Sequence, residues 1–357
     1  MSPLTTTAAS TAARPAPEIL TAPDRTVRGP QALWLLAAVG VLVLVAAASL
    51  GIGARGLTLE TVWQAMTQFD PASGDHAVVL ARVPRTALGL LAGSALGLAG
   101  AAMQGVARNP LADPGILGIN AGAAVAVVTG IYVFGVSSLA GYIWFAFLGA
   151  AGAAVVVYLI AALGRGGATP VKLALAGAAL SAGLFSLMNV ILVSSRDTLD
   201  RFRFWQVGGI AGREWSLILP ALPFLLLGAA IVLCAGRILN NLALGDDLAR
   251  GLGQRVGLTR GITALGIVLL CGAATALAGP IGFVGLVIPH AVRFLTGPDY
   301  RWILPFSLVL APALLLVADV IGRVILLPGE VPAGIMTALV GAPVFVWLVR
   351  RGKGAGL

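Results

Sequence analysis

Arg108-Asn109-Pro110-Leu111-Ala112-Asp113-Pro114-Gly115 lies between two segments apolar enough to cross a bilayer. Pro110 and Pro114 each lack a backbone donor and restrict the residue before them. Asn109 and Asp113 are therefore pushed off helical geometry, and the chain must reverse here. A turn this polar cannot face lipid, so it must sit at a water or protein surface. Asp113 stands where a side-chain oxygen can cap the next span.

Outward from this turn the chain is 59% hydrophobic and 10% charged over 357 residues, with a mean hydropathy of +0.98. Those values belong to an all-α integral membrane protein, not to a soluble domain. Apolar stretches long enough to span, or nearly so, fall at 32–50, 86–107, 115–134, 139–163, 171–195, 216–236, 260–278, 282–296, 302–326 and 333–349. Ten transmembrane helices are expected. The eighth is short, with Gly279-Pro280 before it and Pro289 within it, and reads as a broken or half-membrane helix packed against protein. Residues 1–31, rich in Thr, Ala and Pro, read as a disordered tail and not as a cleaved signal peptide. The ten-helix domain covers 32–350, and 351–357 form a second tail.

An even count puts both termini on one side. If that side is the cytoplasm, fifteen of the 23 basic residues lie inside and eight outside, the outer set being Arg55, Arg82, Arg85, Arg196, Arg201, Arg203, Arg213 and Arg323. The positive-inside rule thus supports cytoplasmic termini, and it places the opening turn in the cytoplasm. The net charge of +9 is scattered between apolar spans, which argues against nucleic acid. Cys234 and Cys271 sit in apolar runs, and His76 and His290 are the only histidines, so no metal or haem site is expected of this chain.

The second span carries Gly89, Gly93, Gly97 and Gly100, and four-residue spacing stacks the first three on one helix face, a packing seam within the protomer. The external segment 51–85 holds an amphipathic piece near Leu57 to Phe69 and ends in Arg82-Val83-Pro84-Arg85. A second external segment, 196–215, interleaves Arg201 and Arg203 with Phe202, Phe204 and Trp205; it reads either as a substrate mouth or as an interfacial aromatic belt. The inner segment 237–260 contains the stretch Asn240 to Gly253, whose Leu244, Leu248 and Leu252 recur at helical spacing beside charges. A short surface helix with an apolar edge for a partner is expected.

The only lysines are followed by Leu173 and Gly354, so the chain has no Walker A site; ATP-driven work would need another polypeptide. No nucleophile, base and orienting group assemble into an enzyme site. Asp319, four residues before Arg323, would serve an ion-gradient carrier if free, but an i, i+4 ion pair is the simpler reading. His290 is read as satisfying backbone groups freed by Pro289.

Several blocks resemble the permeases of type II ABC importers for iron-siderophores, haem and vitamin B12. They are Arg82-Val83-Pro84-Arg85 with Gln104 and Arg108 to Gly118; Gly279-Pro280-Ile281-Gly282-Phe283 to His290 with Arg293, Gly297 and Asp299; Asp319 with Arg323, Glu330, Pro332 and Gly334; and Leu242-Ala243-Leu244-Gly245 with Leu252 and Gly253. Arg203-Phe204-Trp205-Gln206 and Pro328-Gly329-Glu330 resemble ferric enterobactin permease subunits most. The resemblance implies a ten-helix protomer in the bacterial cytoplasmic membrane, paired with an identical or homologous permease. Two ATPase subunits would carry ATP and Mg, no cofactor would belong to this chain, and an external substrate-binding protein would deliver a ferric siderophore, catecholate by this reading. It further implies docking of that protein on Arg82, Arg85 and Arg323, ATPase coupling through Asn240, Leu242, Leu244, Gly245, Leu248, Leu252 and Gly253, and a gate near Thr169, Pro170 and Val171. Haem or vitamin B12 import is the alternative within the family.

Overall fold

The structure, a computed structural model, describes residues 28–163 and 168–352. Among these, fifteen α-helices follow one another: α1 Arg28–Gly51, α2 Leu59–Thr67, α3 Gly74–Ala107, α4 Ile119–Phe134, α5 Leu139–Ala162, α6 Pro170–Ser194, α7 Arg196–Gln206, α8 Trp215–Ile218, α9 Leu222–Cys234, α10 Gly236–Ala243, α11 Asp246–Gly251, α12 Val256–Ala278, α13 Val284–Thr296, α14 Tyr300–Ile325 and α15 Ala333–Gly352. Each of the ten expected stretches carries helix. Seven helices are long and apolar enough to span a membrane, and Ile119–Phe134, Val284–Thr296 and Ala333–Trp347 are shorter. Helix α1 starts inside the stretch expected as tail, because Pro30 in a first turn forfeits only a donor that would be unpaired anyway. Residues 1–27, 164–167 and 353–357, with most of both tails and Arg165, lie outside the described residues.

Helix α3 starts twelve residues before the expected span. Ser73 caps it by accepting from the His76 N–H, and Asp75 complements the positive end of the helix dipole. Pro84 is accommodated inside this helix instead of ending it. At about 1.5 Å per residue, its 34 residues reach roughly 51 Å. It packs against α14, α12 and α13, while α1 lies on α14.

The glycine face makes that central packing possible. A side chain at Gly93 would strike the backbone of Pro312, one at Gly97 the Ser307 carbonyl and Ala311, and one at Gly100 the Gly285 carbonyl. Where lipid removes any hydrophobic advantage of helix association, such close backbone approach supplies the contact. The seam lies within the protomer, as its spacing suggests.

The opening turn is built as its prolines require. Arg108 takes a left-handed conformation to end α3, and the Asn109 carboxamide oxygen accepts from Leu111 N at 2.9 Å. Asp113 accepts from Gly115 N at 2.7 Å, but it caps a separate 3-10 turn, Pro114–Leu117, while Gly118 starts α4. The chain turns away from α3 here, so that α4 packs chiefly on α5 and α6.

Replacing Gly100 with Ala should destabilise the protein by about 1–3 kcal/mol through overpacking. Gly40→Ala, in open space, should leave the thermal midpoint in detergent unchanged or raised. Equal midpoints for the two variants would remove the seam's role.

Candidate functional site

Two polar centres flank the glycine face of α3, one on either side of Gly89–Gly100. Arg85 and Gln104 lie nineteen residues apart along it, about 28 Å at helical rise, close to the thickness of a bilayer's hydrocarbon core.

The first centre gathers Arg82, Arg85 and Arg323 around Asp319. The Arg85 Nε and Nη2 groups donate to the Asp319 carboxylate at 3.0 and 2.8 Å, and Arg323 donates to it through Nε at 2.9 Å and through Nη2. Arg323 also reaches the Ser49 carbonyl at 2.6 Å and the Ser49 hydroxyl at 3.0 Å. Arg82 donates to the carbonyls of Leu50, Gly51 and Arg55 at 2.7–2.9 Å. These carbonyls belong to the end of α1 and the residues after it, where helical partners run out and a cation is favoured.

This corrects the expectation of three outward forks. Arg323 and Asp319 are each 1% exposed and Arg82 is buried; their donors are consumed inside the protein. Arg323 reaches not the outer interface but α1. Arg85 alone keeps an arm near solvent, its Nη1 donating at 2.8 Å to Glu330, whose side chain is 38% exposed. A cavity of about 190 Å³ opens beside Arg85, Glu330, Arg213 and Phe204. Asp319, held by two guanidiniums, is the ion-pair partner and offers no free oxygen to a proton path.

The helical setting of α7 splits the external cluster. Phe202 and Trp205, three residues apart, face the core and are buried, leaving Arg201, Arg203 and Phe204 at the surface. Arg201 pairs with Asp197 at 3.0 Å and Arg203 with Asp200 at 3.2 Å, and the Arg203 guanidinium lies 5.1 Å from the Phe204 ring centre. Five residues read as one mouth therefore serve two faces.

At the C-terminal end of α3, the turn and the inner segment meet. Asp246 accepts from Arg260 at 2.8 and 3.0 Å and pairs with Arg108 at 3.3 Å. Asn240 donates to Asp299 at 2.7 Å and accepts from Tyr300 N at 2.8 Å. Bonds from Arg301 hold the Asp299 carboxyl down to about 2, whereas burial pushes the Asp113 carboxyl in the turn up. Arg293 joins this end, donating to Gln104 at 3.2 Å and to the Tyr300 hydroxyl at 3.0 Å.

The inner segment is not one helix. Gly245, with φ of +107°, breaks it into α10 and α11, and Gly253 takes φ of +80° after them. Leu244, Leu248 and Leu252 nonetheless stand 59, 61 and 63% exposed. Asn240 and Leu242 face inward, corrected from the expected partner edge because one is tied to Asp299 and the other is buried. In the gate region Thr169 caps α6, Pro170 fills its first turn, and Val171 is exposed. His290 does not satisfy backbone groups. Among the described residues its buried ring nitrogens have no partner, and its ring packs edge-on to Phe294 and Phe345.

The profile of the FecCD transport family matches residues 41–351. The chain belongs to that family. The ferric enterobactin transport system permease FepD of Escherichia coli is 47% identical over 87% of this chain and 93% of its own length. YfiZ of Bacillus subtilis, named as a siderophore transport system permease, is 43% identical over 89% of this chain and 96% of its own. A solved structure described as an inward-facing conformation of a metal-chelate type ABC transporter superposes with a TM-score of 0.80 at 31% identity, covering 90% of this chain and 99% of the other. This FecCD chain is thus a membrane-spanning permease subunit of an ABC importer.

Sequence reasoning missed Glu330 as the second partner of Arg85 and missed Asp246 as the link between turn and inner segment; each joins residues far apart in the chain. Asp319→Asn should cost about 3–5 kcal/mol, since it leaves two guanidiniums without their buried counter-charge. Glu330→Gln, at a partly exposed pair, should stay within about 1 kcal/mol. Thermal unfolding of the purified variants checks the contrast, and similar losses would contradict it.

Proposed function

We propose that this subunit carries a ferric siderophore, a catecholate, through a path shared with a second permease, with both termini and the Leu244–Leu252 edge in the cytoplasm and ten membrane passes. The observation that carries the reading is the pairing of two polar centres that flank the glycine face of one helix. One offers an accessible ion pair, Arg85 with Glu330, and the other an exposed leucine row. An acidic side chain of a substrate-binding protein would compete with Glu330 for Arg85. Two ATPase subunits holding ATP and Mg would seat the leucine row, and their closure would move the permeases as bodies.

The names of FepD and YfiZ support an iron-siderophore substrate. The catecholate rests more narrowly on Phe204 and on Arg203 beside it, an aromatic and cationic surface suited to an anionic, ring-bearing chelate. Haem or vitamin B12 would be the cargo if neither surface nor chelate charge mattered.

In vesicles holding the permease with its ATPase and binding protein, uptake of a ferric catecholate should require ATP and exceed that of a neutral hydroxamate. A proton gradient alone should drive none. Uptake by gradient without ATP would reverse the proposal, and preference for the hydroxamate would reject the catecholate.

Two variants separate the partners. Leu248→Asp should abolish copurification of the ATPase while leaving binding-protein affinity intact, and Glu330→Gln, which frees the outer arm of Arg85, should tighten binding-protein docking while leaving ATPase copurification intact. If either variant affects both partners equally, or neither, the assignment of the two ends is wrong.

A further inference from the structure

An apolar groove of about 290 Å³ runs between α5 and α12, outside both polar centres. Its floor is made of Ala151, Ala154, Gly261 and Ala264, with Tyr158 and Leu265 among its walls. Small residues on two touching helices leave this space, and the Tyr158 hydroxyl, donating to the Gly257 carbonyl at 3.4 Å, lies toward one end. Both helices are long and apolar enough to span a membrane. Leu258 and Ile262, beside the groove on α12, are exposed.

A groove so apolar does not hold ordered water, so hydrocarbon must fill it. The groove follows the line between two spanning helices, which is the direction an acyl chain takes in a bilayer. The residue preceding α12 is Arg255, which is exposed and lies one helical turn before Leu258, at the same end as Arg108, Arg250 and Arg260. A cation at the head of an apolar slot complements an anionic head group above an acyl chain.

We propose that the α5–α12 groove is a binding site for an anionic phospholipid, one acyl chain lying over Gly261 and Ala264 and the phosphate against Arg255. The site would leave transport chemistry to the two polar centres and act on the scaffold that joins them.

The test is native mass spectrometry of the full-length protein with palmitoyl-oleoyl phosphatidylglycerol or phosphatidylcholine. The wild type should retain phosphatidylglycerol about five-fold better, the worth of one basic residue against an anionic head group. Arg255→Gln should equalise the two lipids, and Ala264→Phe should remove retention of both. A preference that survives Arg255→Gln, or retention that survives Ala264→Phe, overturns the proposal, as does displacement of the lipid by inorganic phosphate. Independently of any variant's folding, a phosphatidylglycerol with a photoreactive group on its acyl chain should label wild-type residues 151–159 and 261–269. Labelling confined to other spans, or none because a second copy covers this face, rejects the site.

Discussion

A buried carboxylate between two guanidiniums is the constraint on which one end of this protein depends. Asp319 cannot be ionised in an apolar interior without partners, and Arg85 and Arg323 cannot be buried without it. Their remaining donors cannot be idle either. Arg323 spends them on the end of α1, Arg82 spends its own there too, and Arg85 spends one on Glu330. A single acid thus fixes the relative positions of α1, α3, α14 and the loop leading to α15. Removing it would undo more than one ion pair, because both Arg85 and Arg323 are oriented by it.

The same economy holds at the opposite end, where Asp246 ties the turn after α3 to α11 and α12, and Asn240 ties α10 to the start of α14. Between the two ends runs the glycine seam, where α3 meets α14 and α13 with almost no side chain between the backbones. Close-packed backbones do not deform gradually. Gly245, with its positive φ, separates the two short helices α10 and α11 near the end of that seam.

What could be read directly from the chain was local. Proline and Asp113 marked the turn, four-residue glycine spacing marked the seam, and apolar length marked the spans, because each depends on neighbours within a few positions. The direction of Phe202 and Trp205 was also legible in principle, since a three-residue separation shares a helix face. The external segment 196–215 has no apolar length to announce a helix, although Ser195 stands ready to cap one there by accepting from Thr198 N. The fate of Arg82 and Arg323 was not legible. No spacing in the chain announces that carbonyls near residue 50 will lie within reach of residue 323, and an arginine at a span's edge looks the same whether it faces water or the end of another helix.

That ambiguity bears on how an arginine-rich end can serve a partner at all. Arginines that already satisfy a helix terminus and a buried acid are costly to withdraw, so a docking protein gains little by competing for Arg82 or Arg323. Arg85 differs because one of its bonds goes to Glu330, a half-exposed group that water can solvate as it leaves. Exchange there costs about what a surface ion pair is worth, at most roughly 1 kcal/mol, while the bonds to Asp319 stay in place. The cheap step is therefore confined to the residue that also touches the buried acid. Glu330 precedes α15 by only three residues, so its release bears directly on the connection between α14 and α15.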